Sequence, residues 1–258
     1  MSNQTIINDD CLNILKNLPD ESFDLVISDI PYKIATGGVT INIKNTGGIL
    51  GKKTTKDRLK NKWLKQADSE DNDILIKKGK FFEHVPEFEN WLPQIYRVLK
   101  PKSHCYLMVN GRNLSQLQIQ AEKVGFKFQN LLVWAKQNAT PNKFYMQKCE
   151  FILMLRKGRE RYINDMGVEN IFFVRNPAGK KLHPTEKPVE LMKKLIEQST
   201  NIGDKVLDPF MGAGATLIAC EEIHRLGTGI EIEKRFCDIA QKRIDQTKQN
   251  YVQGSLLI

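Results

Sequence analysis

The amino-acid sequence predicts an α/β protein in which a mostly parallel sheet carries helices on both faces, and three observations predict it. Short apolar runs at residues 23–28 (FDLVIS), 105–109 (CYLMV), 151–155 (FILML) and 226–231 (LGTGIE) read as strands and alternate with stretches of helical spacing. Several strands end directly in acids, at Asp9 and Asp10, at Asp29, at Asp208 and at Glu231. Residues 205–216 (KVLDPFMGAGAT) pass from a strand through a glycine turn into a helix that continues with Leu217, Ile218, Cys220 and Ile223. The carboxyl end of such a strand is where an α/β sheet opens a crevice for a ligand.

Taken in order, residues 5–8 form a strand, and Cys11, Leu12, Leu15 and Leu18 form a short amphipathic helix stopped by Pro19. The buried strand at 23–28 runs into Asp29, Ile30, Pro31 and Tyr32. Phe88, Trp91, Leu92, Ile95 and Leu99 have helical spacing, with Pro93 kinking that helix or starting its main part. A strand at 105–109, a helix at 113–124 and strands at 126–134 and 151–155 follow, with Trp91 and Trp134 assigned to the core. Pro188 suits the first turn of a helix through Val189, Met192, Leu195 and Ile196. After Glu231 an amphipathic helix runs through Phe236, Ile239, Ala240 and Ile244, and the tail at 249–258 carries no pattern.

The chain has 258 residues, 41% of them hydrophobic and 27% charged, which suits one large α/β domain over residues 1–258. Its formal net charge of +9 makes a polyanion a natural partner, the alternative being a charge that serves solubility alone. Five scattered cysteines, Cys11, Cys105, Cys149, Cys220 and Cys237, fall in apolar patterns without a Cys-x-x-Cys pair and read as reduced core thiols. No apolar run reaches signal-peptide or membrane length, so a cytoplasmic protein with no membrane partner is expected. His183 has no companion at ligand spacing among His84, His104 and His224, so no metal is expected.

Two constellations carry chemistry. In the glycine turn, Asp208 is placed to meet a cationic ammonium or sulfonium, and Glu231 ends the next strand, where adenosine-type cofactors have their ribose hydroxyls accepted. The third glycine of the dinucleotide fingerprint is missing, because Ala215 and Thr216 follow Gly214, so a nicotinamide cofactor fits less well. In the second, Asp29-Ile30-Pro31-Tyr32 reads either as a proline turn with a packed tyrosine or as a site for a nucleobase amine. Such an amine is a poor nucleophile because its lone pair is delocalised into the ring. The Asp29 carboxylate and a neighbouring backbone carbonyl could hold its N–H groups and free that lone pair, while Tyr32 stacks on the base.

These residues together resemble the S-adenosylmethionine-dependent DNA amino-methyltransferases. Asp29-Ile30-Pro31-Tyr32 is similar to their Asp-Pro-Pro-Tyr signature, and Asp208-Pro209-Phe210-Met211-Gly212-Ala213-Gly214 to their cofactor loop. His183-Pro184-Thr185-Glu186-Lys187-Pro188 resembles the segment that precedes the loop, and Asp9-Asp10-Cys11-Leu12 their Gly-Asp-Cys-Leu opening. The catalytic motif comes first and the cofactor loop last, which is the order of the permuted β group. The resemblance covers residues 5–32 and 183–245 and implies a Rossmann-like methyltransferase fold with circularly permuted motif order.

The resemblance assigns roles residue by residue. Asp29, Ile30, Pro31 and Tyr32 would hold the target amine and stack on the flipped base. Asp208, Phe210, Gly212 and Gly214 would line S-adenosylmethionine, Glu231 would take its ribose hydroxyls, Asp10 would meet its adenine amine, and Thr185 and Lys187 would lie near its methionine carboxylate. Ile30 replaces a proline and loses a rigid φ, and Asp9 replaces a glycine. The leading Asp29 leans toward adenine N6 over cytosine N4. The implied activity is site-specific methylation of adenine in duplex DNA, with cytosine-N4 transfer, an RNA substrate and a catalytically weak DNA-binding protein as alternatives. A homodimer and a cognate restriction nuclease stay open as partners.

Two stretches remain. Residues 33–80 set Gly37, Gly38, Gly47, Gly48 and Gly51 among a run of lysines, and read as a flexible basic insertion that could fold over DNA phosphates or as a solvated face. Residues 136–182 carry polar loops at 136–148 and 156–181 and are the expected place for target recognition.

Overall fold

The computed structural model describes residues 4–31, 85–140, 145–176 and 186–255. The chain divides into two compact units, residues 1–31 with 86–258 and residues 32–85, and all of the second but Val85 lies outside the described residues. The basic insertion expected at 33–80 is therefore outside them.

The elements of the first unit, in chain order, are β1 (Gln4–Asn8), α1 (Cys11–Asn17), β2 (Phe23–Asp29), α2 (Phe88–Val98), β3 (Leu99–Val109), α3 (Leu114–Val124), β4 (Lys127–Thr140), β5 (Gln147–Arg156), β6 (Ile171–Phe172), α4 (Val189–Ser199), β7 (Lys205–Asp208), α5 (Ala215–Glu222), β8 (Leu226–Glu231) and α6 (Lys234–Ser255). Among the described residues the sheet has eight strands in the order β1-β8-β7-β2-β3-β5-β4-β6. Pairing is parallel except where β5 runs against β3 and β4.

Helices α1, α2 and α3 pack in succession on one face and α4, α5 and α6 on the other. Alternation along the strands explains both cores. Leu25 and Ile27 of β2, with Tyr106 and Met108 of β3, meet Leu191, Leu195 and Ile196 of α4 and Ala215 and Ala219 of α5. Their neighbours Val26, Cys105 and Leu107 are equally buried and point to the other face, where Leu15, Trp91, Leu92 and Ile95 are buried. Each such side chain contributes about 1.5–3 kcal/mol on leaving water. Trp91 and Trp134 belong to the core as expected, at 0% and 3% exposure, and the Trp134 indole N–H donates to the Val174 carbonyl at 2.8 Å.

Several details differ from the sequence expectations. Leu99 opens β3 instead of closing α2, and the strand absorbs Pro101 in an irregularity: β2 pairs Phe23 with Leu99 but Leu25 with His104. A bulge is where a strand tolerates proline, and Lys102 there takes a positive φ of 60°. Helix α2 runs unbroken through Pro93. The loop expected at 136–148 is strand up to Thr140 and again from Gln147. Helix α6 continues to Ser255 through part of the patternless tail. Cys149 is exposed, unlike the other four thiols, because it sits on the part of β5 that extends beyond the core. No helix among the described residues is long and apolar enough to cross a membrane.

Candidate active site

Strands β1, β8, β7 and β2 are mutually parallel neighbours, so their carboxyl ends share one edge of the sheet. Along that edge stand Asp10, Glu231, Asp208 and Asp29, in that spatial order. The acids at the strand ends, spread over two hundred residues of sequence, are thereby collected into one row.

The glycine turn is held by backbone and hydroxyl hydrogen bonds. Asp208 is 2% exposed, and its carboxylate accepts from the Ser28 hydroxyl at 2.6 Å, the Thr216 hydroxyl at 2.5 Å and the Phe210 N–H at 3.1 Å. Burial pushes its carboxyl up to about 6, against the lowering effect of those donors. Ser28 precedes Asp29, so this bond also ties the end of β2 to the end of β7. Gly212 and Gly214 take φ of 52° and 80°, a region that side chains disfavour, and Gly214 caps α5. A Cβ at Gly214 would lie 2.6 Å from the Ala240 Cβ of α6, so the turn is also a close contact between backbone and helix.

Glu231 completes this half. Its carboxylate accepts from the Gly212 N–H at 3.0 Å and the Glu233 N–H at 2.9 Å, and burial raises its carboxyl above the ordinary range. Asp10 caps α1 by accepting from the Leu12 N–H at 2.8 Å. Phe210 is half-buried, with its ring edge-on to Trp91 at 5.3 Å. Acids at two strand ends flank a turn that carries no side chain at its glycines. This donor set fits an adenosine-type cofactor, one acid for a ribose diol and the other for an adenine amine.

The Asp29 side of the row is held by ions. Its carboxylate pairs with the Lys187 ammonium at 2.6 Å, and Lys187, 6% exposed, reaches Glu150 at 3.2 Å. Glu150 is in turn paired with Lys136. Glu150 and Lys136 reach this edge because β5 is antiparallel: its first residues lie beside the last residues of the parallel strands, with Phe151 opposite Val109 and Trp134 opposite Glu150. Burial raises the Asp29 carboxyl, while the Lys187 charge acts against that shift. Burial would raise Glu150 too, but Lys187 and Lys136 outweigh it, and its carboxyl lies below the ordinary range. Ile30 is 2% exposed, so side-chain packing restrains the backbone where the resembling motif has a proline ring.

Of the residues singled out in the sequence, Asp10, Asp29, Ile30, Pro31, Asp208, Phe210, Gly212, Gly214 and Glu231 fall at this edge, whereas Tyr32, His183 and Thr185 lie outside the described residues. Lys187 is found on Asp29. Among the described residues no group of three His, Cys, Asp or Glu side chains is placed to hold a metal ion. Glu150 was not singled out. Its one signal was an acid opening an otherwise apolar strand, and Lys136 was read only as one of several loop cations.

A mostly parallel sheet with a glycine turn and an acid row at its strand ends has the architecture of the Rossmann-like methyltransferases. The profile of the DNA methylase family N6_N4_Mtase matches residues 23–242, and the chain belongs to that family. It is similar to the Type II methyltransferase M2.DpnII of Streptococcus pneumoniae, 29% identical over 262 residues that span 93% of this chain and 89% of that protein. The Type II methyltransferase M.HinfI of Haemophilus influenzae is 28% identical over 95% of this chain and 69% of that protein. The crystal structure of M1.HpyAVI in complex with SAM superposes with a TM-score of 0.61 and 25% identity, over 93% of this chain and 99% of that one. The cytosine-N4-specific PvuII DNA methyltransferase shares the fold, with a TM-score of 0.66 at 15% identity over 98% and 93% of the two chains.

Proposed function

We propose that this DNA methyltransferase moves a methyl group from S-adenosylmethionine to the exocyclic N6 amine of an adenine flipped out of duplex DNA. The observation that carries the reading is the placement of Asp29 beside the glycine turn, joined to it through the Ser28–Asp208 hydrogen bond. The cofactor supplies an electrophilic methyl on a positively charged sulfur. Asp29 and the carbonyl of Ile30 accept the two N–H groups of the amine, which localises the nitrogen lone pair for attack. The lone pair forms the new carbon–nitrogen bond, the sulfur keeps the electrons of the bond that breaks, and the nitrogen then releases one proton. Tyr32 stacks on the flipped base.

On the other side, Glu231 takes the ribose hydroxyls, Asp10 the adenine amine, and Phe210, Gly212 and Gly214 line the cofactor. Asp208 shapes the turn at the methionine end. The same reading brings Thr185 and Lys187 toward the methionine carboxylate, a role for Lys187 that competes with its pairing to Asp29. The net charge of +9 and the lysine run at 33–80 support a polyanionic substrate, and residues 136–182 are the segment we assign to target recognition. The Asp at the head of the catalytic motif supports adenine over cytosine.

The test is transfer of labelled methyl from S-adenosylmethionine to mixed-sequence duplex DNA, followed by nucleoside analysis. Label is expected in N6-methyl-2′-deoxyadenosine. Label in N4-methyl-2′-deoxycytidine would keep the mechanism and change the base. Cofactor binding without incorporation would leave a DNA-binding protein that has kept the fold.

A further inference from the structure

Four charged side chains alternate in sign at the catalytic end of the row: Asp29, Lys187, Glu150 and Lys136. They come from β2, from the segment before α4, from β5 and from β4, so the group is assembled entirely by tertiary structure. Among the described residues two acids and two lysines meet here, the pairing of opposite charges that a partly desolvated ionic cluster requires. A buried ion pair is a weak device for stability, since desolvation offsets most of its attraction. This cluster has a different use.

We propose that Lys187 is a positioning residue for methyl transfer: clamped by Glu150, which Lys136 backs, it keeps the Asp29 carboxylate anionic and aimed at the target amine. The proposal rests on the methyl-transfer reading above. An anionic carboxylate accepts N–H groups from both oxygens, whereas a protonated one presents an O–H donor to the amine. The charged groups facing Asp29 act in both directions. Lys187 and Lys136 favour its anion, while Glu150 and Asp208, with burial, disfavour it. Of these charges Lys187 has the largest effect, at a hydrogen-bond distance of 2.6 Å.

The backbone around Lys187 is itself fixed. Its neighbour Glu186, 7% exposed, pairs with Arg243 of α6 at 2.8 Å, and the same guanidinium donates to the Ala213 carbonyl inside the glycine turn at 2.7 Å. Adjacent residues thus reach in two directions, Glu186 to the cofactor turn and Lys187 to the catalytic carboxylate. A lysine anchored this way presents its ammonium to Asp29 without the entropy loss of ordering a free surface side chain.

The experiment is a pH titration of the full-length protein by NMR with 13C-labelled aspartate carboxyls, D29N assigning the Asp29 signal. It is run beside single-turnover transfer on mixed-sequence duplex DNA and calorimetric S-adenosylmethionine binding. In K187Q the Asp29 midpoint is expected to rise by about one pH unit or more, while K187R stays within about half a unit of wild type. K187Q transfer at neutral pH is expected to fall about tenfold or more, with the cofactor Kd changed less than about threefold. If K187Q fails to fold, the charge-balanced K187Q/E150Q pair serves, and its midpoint still rises because the larger effect is lost. An unmoved midpoint overturns the proposal. A cofactor Kd weakened about tenfold with the midpoint unmoved overturns it in favour of a lysine on the cofactor carboxylate. Wild-type protein that binds cofactor but methylates no DNA overturns the functional reading instead, and the midpoint still decides whether Lys187 governs Asp29.

Discussion

The two ends of the acid row are held in place by different physics. Around Asp208 and Glu231 every partner is a backbone N–H or a neutral hydroxyl, and the geometry is set by glycines packed against α6. Around Asp29 the partners are charged, and the geometry is set by opposite signs in contact. The two carboxylates at the glycine turn are held by neutral donors, and the one charged group on the turn, Arg243 on the Ala213 carbonyl, meets backbone and not an acid of the row. The Asp29 carboxylate is in contact with an ammonium, so a change of charge beside it reaches both its direction and its ionisation.

Three perturbations break or sharpen this contrast. The largest is Gly214→Ala, which adds a Cβ 2.6 Å from Ala240 at a φ of 80°. Overpacking and left-handed strain together are expected to cost about 2–4 kcal/mol in urea unfolding, with loss of cofactor binding. The companion A240G should recover the packing part and leave the strain. Full recovery would show that the turn does not need its glycine backbone.

Next is Asp208→Asn. Because the folded-state carboxyl of Asp208 is raised to about 6 from its ordinary 3.8, its contribution to stability is complete below about pH 4 and is lost as pH rises through 6. Relative to D208N, wild-type stability is expected to decline by about 3 kcal/mol over that window, measured by urea unfolding at stepped pH. Parallel curves for the two proteins would mean that the neutral donors already hold Asp208 as an anion.

The smallest is Lys136→Gln at the far end of the ionic row. It removes the lysine that backs Glu150 without touching Asp29, and single-turnover transfer is expected to fall about two- to fivefold, in line with a pair worth up to about 1 kcal/mol. A loss as deep as that of K187Q would show that the row acts as one unit and is not graded with distance.

The neutral end was the more legible in sequence. Strands β2, β7 and β8 are buried on both faces and read as apolar runs, and a glycine turn and the acids that close strands are local signals. The ionic end left almost none. Lys187 meets Asp29 across 158 residues, and no pattern in one sequence joins a lysine before a proline to an acid so far away. Residues 136–140 and 147–148 are polar enough to read as loop, yet they lie in β4 and β5, which pair again at Thr140 and Gln147 beyond an irregularity. The antiparallel return of β5 is what turns Glu150 from a strand-opening acid into a site residue. Leu99 was misplaced because helical spacing runs on for one residue past α2, while the bulge at Pro101 that lets β3 begin there leaves no periodic trace.

The sheet order has a consequence for biosynthesis. Lys187 and β7, the neighbours of Asp29 and Ser28, leave the ribosome some 160 to 180 residues after them. At about 5–20 residues per second the chain spends roughly 8–30 s between Asp29 and Lys187. During that interval β2 can pair with β3 but keeps an open edge where β7 will lie. A nascent chain therefore cannot assemble the Asp29 end of the acid row until Lys187 and β7 have emerged, and that exposed edge of β2 is the point at which its folding is open to mispairing.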